Sequence, residues 1–396
     1  MRLPMFPIIM IILINLLVDS YIYRALKRRF SSPLPARIQF WSALALFILI
    51  IVTVMLPRRN CSNELLQTVM WCLYAYFTFY IPKYIFLVVD LISRIPRLFK
   101  KKRLGWLSLA GAVIAVLTFI AMWWGALINR YSIDVKRVDI EIPGLPDKFD
   151  GYTIAQLSDL HVGTYGNDTS YVAKVVDAVN ALHPDAIAFT GDIVNSKTSE
   201  LLPHVSPLSR LTAPDGVFSI LGNHDYGDYS EWPSALAKQD NMNRLYALQK
   251  EMGWRLLLNE TEFVRRGNDS IAIIGVENIG DPPFRVYGSL RRAYPALSDS
   301  TVKILLSHNP AHWVDSISGH GNVNVPLTLS GHTHAMQMEL FGYSPAQLRY
   351  ETWGGLYADD NQKHQLYVNI GVGTVAIPAR IGATPEITLI TLKKKN

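Results

Sequence analysis

Cysteine is nearly missing from this chain. Its 396 residues hold two, Cys61 and Cys72, and both fall in the first third. Downstream of Cys72 no disulfide framework and no thiolate metal site can form, so any metal held there must take nitrogen and oxygen ligands. Acidic side chains are scarce in a different place. Residues 1–130 carry 3 Asp/Glu against 16 Lys/Arg, whereas the remainder carries 29 against 22, a net of −7. The overall charge of +6 is therefore not the basic footprint of a nucleic-acid-binding domain. An acidic domain repels polyanions at a distance, so nucleic acid is not expected as a partner. Internal repeats and low-complexity tracts are absent too, and the terminal "KKKN" reads as a solvated tail.

What residues 1–130 do have is long apolar runs. Four candidate spans, Met5–Tyr23, Ile38–Leu56, Leu65–Ile92 and Trp106–Ile128, each approach or exceed the roughly 20 residues that cross a hydrocarbon core of about 30 Å. The first is preceded only by Arg2, contains Asn15 and Asp19, and lacks a small-residue cleavage site, so it is expected to be a retained helix and not a signal peptide. Loop 24–37 carries five Lys/Arg and loop 93–103 carries six, whereas loop 58–64 carries two, Arg58 and Arg59. The excess of positive charge places the two basic loops in the cytoplasm, both termini outside, and the globular part on the extracytoplasmic side. Span three contains Pro82, Lys83 and Asp90, read as a proline kink with the lysine snorkelling or paired inside the bundle. The expected division is a four-helix transmembrane region over 1–130, a junction over 131–150 and a globular domain over 151–396. Within the junction, "VKRVDIEIPGL" alternates like an edge strand, and "PGLP" and "DG" are turn signals.

The globular part repeats one pattern. Short β-branched runs each end in a polar cluster: "YTIAQL" in "SDLH", "DAIAFT" in "GDIVN", "GVFSIL" in "GNHD", "VKILL" in "SHNP" and "VPLTL" in "SGHTH". Between the first two lies "TSYVAKVVDAVNALHP", apolar at helical spacing and stopped by Pro184. Strand, helix, strand implies parallel pairing in an α/β sheet, whose ligands bind beyond the carboxyl ends of the strands. One such cluster is a turn; five converging on one edge make a site. Asp159 and His161, and likewise His332 and His334, are spaced i, i+2, which on extended chain projects both to one side. Asn223 and His224 are adjacent and face opposite ways if extended, one toward a metal and the other toward a substrate. Asp159, His161, Asp192, Asn223, His308, His332 and His334 form a thiolate-free N/O set suited to divalent Mn, Fe or Zn. Seven ligands exceed one four-coordinate ion and suit two, about 3.5–4 Å apart with a shared carboxylate. Two carboxylates against two dications leave a positive centre that attracts phosphate and acidifies a shared water.

The order of these blocks resembles that of the calcineurin-like metallophosphoesterases, over about residues 150–392. The ending "GVGTVAIPARIGATPEITLITL" is similar to the family's membrane-associated bacterial phosphodiesterase branch, and four preceding spans to its transmembrane members. The resemblance implies a four-layer αββα sandwich. It implies one ion on Asp159, His161 and His334, a second on Asn223, His308 and His332, and Asp192 as the bridge. The implied reaction is in-line attack on phosphorus by a metal-bridging hydroxide, with His224 over the phosphate, stabilising charge or protonating the leaving oxygen, and Asp225 orienting His224 or, on its own reading, capping a helix. Many relatives have Gly-Gly after GHTH, where this chain has Ala335-Met336 and less backbone freedom. Arg380 in "PARIG" is placed at the site edge, as a phosphate contact or a surface ion pair, and Tyr165 and Tyr226 are placed as pocket lining. His183, His204, His312, His320 and His364 have no comparable context.

The expected activity is hydrolysis of a phosphoester or pyrophosphate, and the membrane tether favours a lipid-linked one. The alternatives are a receptor or scaffold of the same fold without turnover, against which the full ligand set argues, and a nuclease, against which the acidic domain argues.

Overall fold

The computed structural model describes residues 5–56, 62–280, 282, 285–320 and 323–395, so Arg58, Arg59 and Cys61 lie outside the described residues. The chain divides into two compact units, Met1–Ala126 and Leu127–Asn396.

Among the described residues the first unit has four α-helices, α1 (Met5–Arg29), α2 (Leu34–Met55), α3 (Asn63–Arg94) and α4 (Gly105–Leu127). All are long and apolar enough to cross a membrane. Local chemistry sets several of their ends. Pro35 lies in the first turn of α2, where a missing N–H costs nothing. Ser62 caps α3 by accepting from Leu65 N at 3.3 Å, and Lys27, Arg28 and Arg29 close α1, where cations complement the exposed carbonyls. Many apolar side chains of these helices point outward, as a lipid-facing surface requires.

Polar groups hold the bundle from within. The Asp19 carboxylate accepts from Gln39 Nε2 at 2.8 Å, from Lys83 Nζ at 2.7 Å and from Tyr80 OH at 2.7 Å. The Lys83 ammonium also lies 4.7 Å from the centre of the Tyr80 ring. Lys83 is thus paired inside the bundle and does not snorkel. Asn15 bonds to Tyr76 and Tyr84 beside this cluster. Asp90 is held by Tyr21, Arg94, Arg103 and Ser108.

The second unit is built on two six-stranded sheets. The strands are β1 (Asp134–Pro143), β2 (Thr153–Leu157), β3 (Ala186–Phe189), β4 (Val217–Ser219), β5 (Arg255–Leu256), β6 (Glu260–Arg266), β7 (Asp269–Gly275), β8 (Lys303–Leu306), β9 (Leu327–Ser330), β10 (Gly355–Ala358), β11 (Gln365–Val368) and β12 (Glu386–Lys395). One sheet runs β1-β12-β2-β3-β4-β5 and the other β10-β11-β9-β8-β7-β6. Parallel pairing joins β2 to β3 and β3 to β4 in the first, and β7 to β8 and β8 to β9 in the second. The segment 134–143 is the edge strand its alternation implies, with Ile140 and Ile142 fully buried between exposed neighbours.

Alternation along the strands produces four layers. Ile304 and Leu306 of β8 join Ile154, Ala188 and Phe218 in a core between the two sheets. Leu305, one residue over, faces outward against Trp313 and Ile317. On the far face of the first sheet, Leu157 and Phe189 pack against Val172, Val175 and Val179 of helix α5 (Ser170–Asn180) and against Leu245 and Leu248 of helix Ala235–Glu251. Helix, sheet, sheet, helix is therefore the architecture. It points the carboxyl ends of β2, β3, β4, β8 and β9 toward one place.

Removing one partner of the Asp19–Lys83 pair leaves an uncompensated charge among apolar helices. Lys83→Met is expected to cost about 3 kcal/mol of stability. The double substitution Asp19→Asn/Lys83→Met should recover most of it. Thermal unfolding of both variants in detergent measures the difference.

Candidate metal centre

Each strand named above ends in a short loop that carries a ligand. Backbone bonds lace these loops together: Asp159 N donates to Gly191 O at 2.9 Å, His161 N to Asp192 O at 3.2 Å, and Gly331 N to His308 O at 2.9 Å. The close approach leaves no room for side chains at two positions. A Cβ on Gly222 would overlap the Asp192 carboxylate, and one on Gly331 would overlap Asp159 Oδ2. The glycines of "GNHD" and "GHTH" are thus spaces that the carboxylates fill.

Two groups of ligand atoms result, Asp159 with His161 and His334, and Asp192 with His308 and His332. Within each group the atoms lie within 4.8 Å of one another. The two carboxylates are held alike. Asp159 Oδ2 accepts from His332 N at 3.0 Å and Asp192 Oδ1 from His224 N at 2.8 Å, so each is clamped by the backbone of another ligand loop. Their second oxygens face the imidazoles. Asp159 Oδ1 lies 3.2 Å from His334 Nε2. Asp192 Oδ2 lies 3.2 Å from His308 Nε2 and 3.6 Å from His161 Nε2, between the two groups.

The donor set fits divalent cations on three orphaned atoms. His308 Nδ1 lies 2.8 Å from Thr190 O, an acceptor, so Nδ1 carries the hydrogen and Nε2 faces the Asp192 carboxylate. His308 Nε2, Asp159 Oδ1 and Asn223 Oδ1 are buried without a hydrogen-bond partner among the described residues. Asn223 donates through Nδ2 to Tyr229 OH at 2.9 Å, which leaves its oxygen as the inward-facing group. Lone pairs that face one another in a buried space call for a positive charge between them.

The electrostatics agree. Burial pushes the Asp159 and Asp192 carboxyls up, but the facing His334 and His308 charges outweigh it, and both stay below the usual carboxylate range. Burial pulls His308 down, yet the Asp192 carboxylate prevails and raises it to about 9. His332 falls to about 3, through burial and then the charge on His308. In the metal-free protein one proton on His308 therefore stands where a cation would stand.

His224 occupies a different position. Its Nδ1 lies 2.7 Å from Asn195 O, an acceptor, so Nδ1 donates, and Nε2 makes no hydrogen bond among the described residues. Its ring meets His161 edge-on, with centroids 4.8 Å apart, and lies 4.4 Å from the Tyr229 ring. Asp225 does not orient it. Both Asp225 oxygens accept from backbone N–H groups, of Asp192 and Ile193 at 2.9 Å, Val194 at 3.2 Å and Gly222 at 2.9 Å. The carboxylate fastens the Asp192 loop to the Asn223 loop, caps no helix, and leaves the orienting role to the Asn195 carbonyl.

Other expectations also need correction. Asp159, His161, His332 and His334 do not converge by extended i, i+2 alternation, because all four adopt left-handed backbone, with φ of 54°, 45°, 73° and 51°. Arg380 is fully buried and is neither a phosphate contact nor a surface ion pair. It donates to the carbonyls of Gly373, Ala383 and Ile370 at 2.8, 3.2 and 2.9 Å, and its Nη2 lies 3.2 Å from His334 Nδ1. Tyr165 and Tyr226 are buried in the core, Tyr165 beside Tyr171 and Tyr226 stacked on Tyr287 at 3.8 Å, so neither lines the pocket. Tyr350, whose OH lies 2.9 Å from His332 Nε2, and Tyr229 belong to the site and escaped the sequence reading. Tyr229 sits five residues past His224 and shared in that signal, whereas no spacing marks Tyr350.

The substitution of Ala335-Met336 for two glycines has a backbone consequence. Both residues are left-handed, with φ of 51° and 46°, within a run of four from His334 to Gln337. The chain adopts the conformation glycine favours without having glycine there.

Comparison with known proteins agrees with this geometry. Residues 152–336 match the family model for calcineurin-like phosphoesterases, and residues 1–130 match that for a probable calcineurin-like phosphoesterase transmembrane domain. The uncharacterized metallophosphoesterase YkuE of Bacillus subtilis is 33% identical over 277 residues, covering 68% of this chain and 88% of its own length. A transmembrane protein with metallophosphoesterase domain from Danio rerio is 31% identical over 299 residues, covering 72% of this chain and 64% of its own, so the chain spans just under two thirds of that relative. The UDP-2,3-diacylglucosamine pyrophosphatase LpxG of Chlamydia trachomatis is 26% identical over 327 residues, covering 69% of this chain and 93% of its own length.

Two outcomes follow from the geometry. A metal ligand must be deprotonated, and His308 is protonated below about 9. Loading manganese at neutral pH should therefore release a proton, and apparent affinity should fall up to roughly tenfold for each pH unit below that value. Titrations in buffers of different ionisation enthalpy measure the proton count. Met336→Gly relieves a left-handed residue, worth about 1 kcal/mol, and should raise the thermal midpoint by roughly 2–4 °C.

Proposed function

The chain belongs to the calcineurin-like phosphoesterase family of metal-dependent phosphoester hydrolases, and on that premise we propose that it is a membrane-anchored, two-metal hydrolase of a lipid-linked phosphoester or pyrophosphate. Residues 1–130 serve as the anchor, 131–150 as the junction and 151–396 as the catalytic domain, on the extracytoplasmic side set by the two basic loops.

The observation that carries the two-metal reading is the position of Asp192 Oδ2, within 3.6 Å of an imidazole nitrogen from each ligand group. In this reading Asp159, His161 and His334 hold one ion, Asn223, His308 and His332 hold the other, and Asp192 is common to both. Divalent ions there would supply Lewis acidity toward phosphate oxygens and lower the pKa of a water. The chain's own groups do the remainder. Asn223 brings an oxygen without a charge, so two carboxylates do not cancel two dications and the centre stays attractive to an anion. His224, fixed by the Asn195 carbonyl, keeps Nε2 free to hand a proton to the departing oxygen. Tyr350 and Thr190 fix the ring orientation of His332 and His308 from behind.

A lipid-linked substrate is supported by the anchor and by LpxG, whose name describes a pyrophosphatase of a diacylated sugar nucleotide. A site tethered to a bilayer meets lipid headgroups at high effective concentration.

The test is hydrolysis by the purified full-length chain, supplemented with manganese, of a diacylated pyrophosphate in vesicles and of a soluble phosphodiester. Asp192→Asn should lose metal and at least about 10³-fold in rate. His224→Ala should keep its metal and lose about 10²–10⁴-fold. Metal-free protein that hydrolyses neither substrate would leave a silent scaffold, and preferential DNA cleavage would leave a nuclease.

A further inference from the structure

The segment after His334 breaks two rules of folding at once. Leu340 and Tyr343 pair across a two-residue turn, with Leu340 N to Tyr343 O at 2.9 Å and the return bond at 3.0 Å. Phe341 and Gly342 form the tip, with φ of 54° and 81°. Glycine suits that conformation and phenylalanine does not. The Phe341 side chain is 99% exposed, and Leu348, a few residues on, is 93% exposed. Met338, Leu340, Tyr343 and Ile377 are exposed as well, which gathers a large apolar surface on one edge of the unit. Within 336–348 the only charged residue is Glu339. Neither packing nor backbone preference within the chain accounts for a phenylalanine at this tip.

The edge is defined by its bonds. Glu339 N donates to Ile381 O and Ile381 N to Gln337 O, both at 2.8 Å, and Gln337 Nε2 donates to Ile377 O at 3.1 Å. The hairpin thus lies along segment 377–381, next to His334 of the metal centre. The same segment receives the chain as it leaves the fourth apolar helix, which ends at Leu127. Asn129 Nδ2 donates to Arg380 O at 2.9 Å, Arg130 Nη1 to Pro378 O at 3.2 Å, and Thr384 Oγ1 to Asn129 Oδ1 at 3.1 Å. Two or three residues separate the end of a spanning helix from a strand of backbone that borders both the hairpin and the metal centre.

We infer that this edge faces the bilayer and that the hairpin tip, with Leu348 and Ile377, inserts into the acyl region of the leaflet from which α4 emerges. Insertion sets the metal centre at headgroup depth, which deepens the lipid-linked reading above and rests on it for its purpose, though not for its geometry. The occupant inferred for the apolar edge is the lipid phase itself, since only two or three residues link the end of the spanning helix to the segment that borders the edge. With a single acidic residue and no Lys or Arg in the hairpin, its contact is apolar, so it does not depend on anionic headgroups or ionic strength.

The test uses the full-length chain with Cys61 and Cys72 replaced by serine, reconstituted in phosphatidylcholine vesicles whose acyl chains carry bromine. An environment-sensitive dye is attached at Phe341→Cys, Leu348→Cys or, as control, Phe263→Cys on β6. Quenching by bromolipid at the first two and by aqueous iodide at the control is expected. Iodide quenching at all three sites would overturn the inference, and so would protection of 341 and 348 from both quenchers, which marks an interface between copies of the chain. Phe341→Ser/Leu348→Ser should keep hydrolysis of a soluble phosphodiester within about twofold and lose at least about tenfold on vesicle-borne pyrophosphate. Bromolipid quenching in a protein that hydrolyses nothing would sink the catalytic reading and leave the insertion standing.

Discussion

The Asp192 carboxylate stands between two sets of imidazoles, and the rest of the second unit is arranged around that fact. One oxygen is fixed by the His224 backbone and the other is reached by His161 and His308. The loop that carries it is fastened by Asp225 through backbone N–H groups. Placing two buried carboxylates and three buried imidazoles together, with the partly buried His332 beside them, is costly unless positive charge fills the gap. In the metal-free protein the His308 proton does so, and two divalent ions would do so when the site is loaded. Metal affinity, protonation and the stability of the strand-end loops are therefore one linked equilibrium.

The parts of this arrangement that were legible in the sequence are those set by periodicity. Alternation in "VKILL" and its counterparts marks strands, a helical repeat between β2 and β3 marks parallel pairing, and polar clusters at five strand ends mark a shared edge. All seven proposed ligands lie on that edge. The way they get there was not legible. Spacing of i, i+2 suggests extended chain, yet Asp159, His161, His332 and His334 reach inward from left-handed backbone. Both geometries bring the side chains together, so the spacing could not tell them apart.

Roles that depend on what a polar group faces were also hidden. Asp225 follows His224 in sequence, but its oxygens turn to backbone N–H groups, and a carbonyl 29 residues away holds the imidazole instead. Arg380 carries a charge that sequence reading assigns to the surface or to a phosphate. Three carbonyls satisfy it in the interior, where a guanidinium with five donors braces the wall behind His334. Tyr350 has no motif around it, because its contact with His332 is made by a loop that folds back after the hairpin.

The local departures from ideal structure are not spread evenly. Fourteen non-glycine residues among those described have left-handed backbone, and nine of them are Asp159, His161, Asp192, His332, the run 334–337 and Phe341. Four of the other five, His183, Asn259, Gln362 and Ala376, are scattered through the rest of the second unit. Natural sequences concede such conflicts at functional sites. Strain in the ligand loops is explained by the need to aim side chains at one point. Strain at Phe341 has no ligand to aim, and it coincides with full exposure of an aromatic ring on a hairpin that borders segment 377–381, to which Asn129 and Arg130 also bond. The inferred insertion into lipid would account for the exposure, and a tight turn that projects the ring would account for the backbone. Under the proposed lipid-linked function, the metal centre and the hairpin would serve one requirement, that chemistry on a polar headgroup be done at the boundary where that headgroup lies.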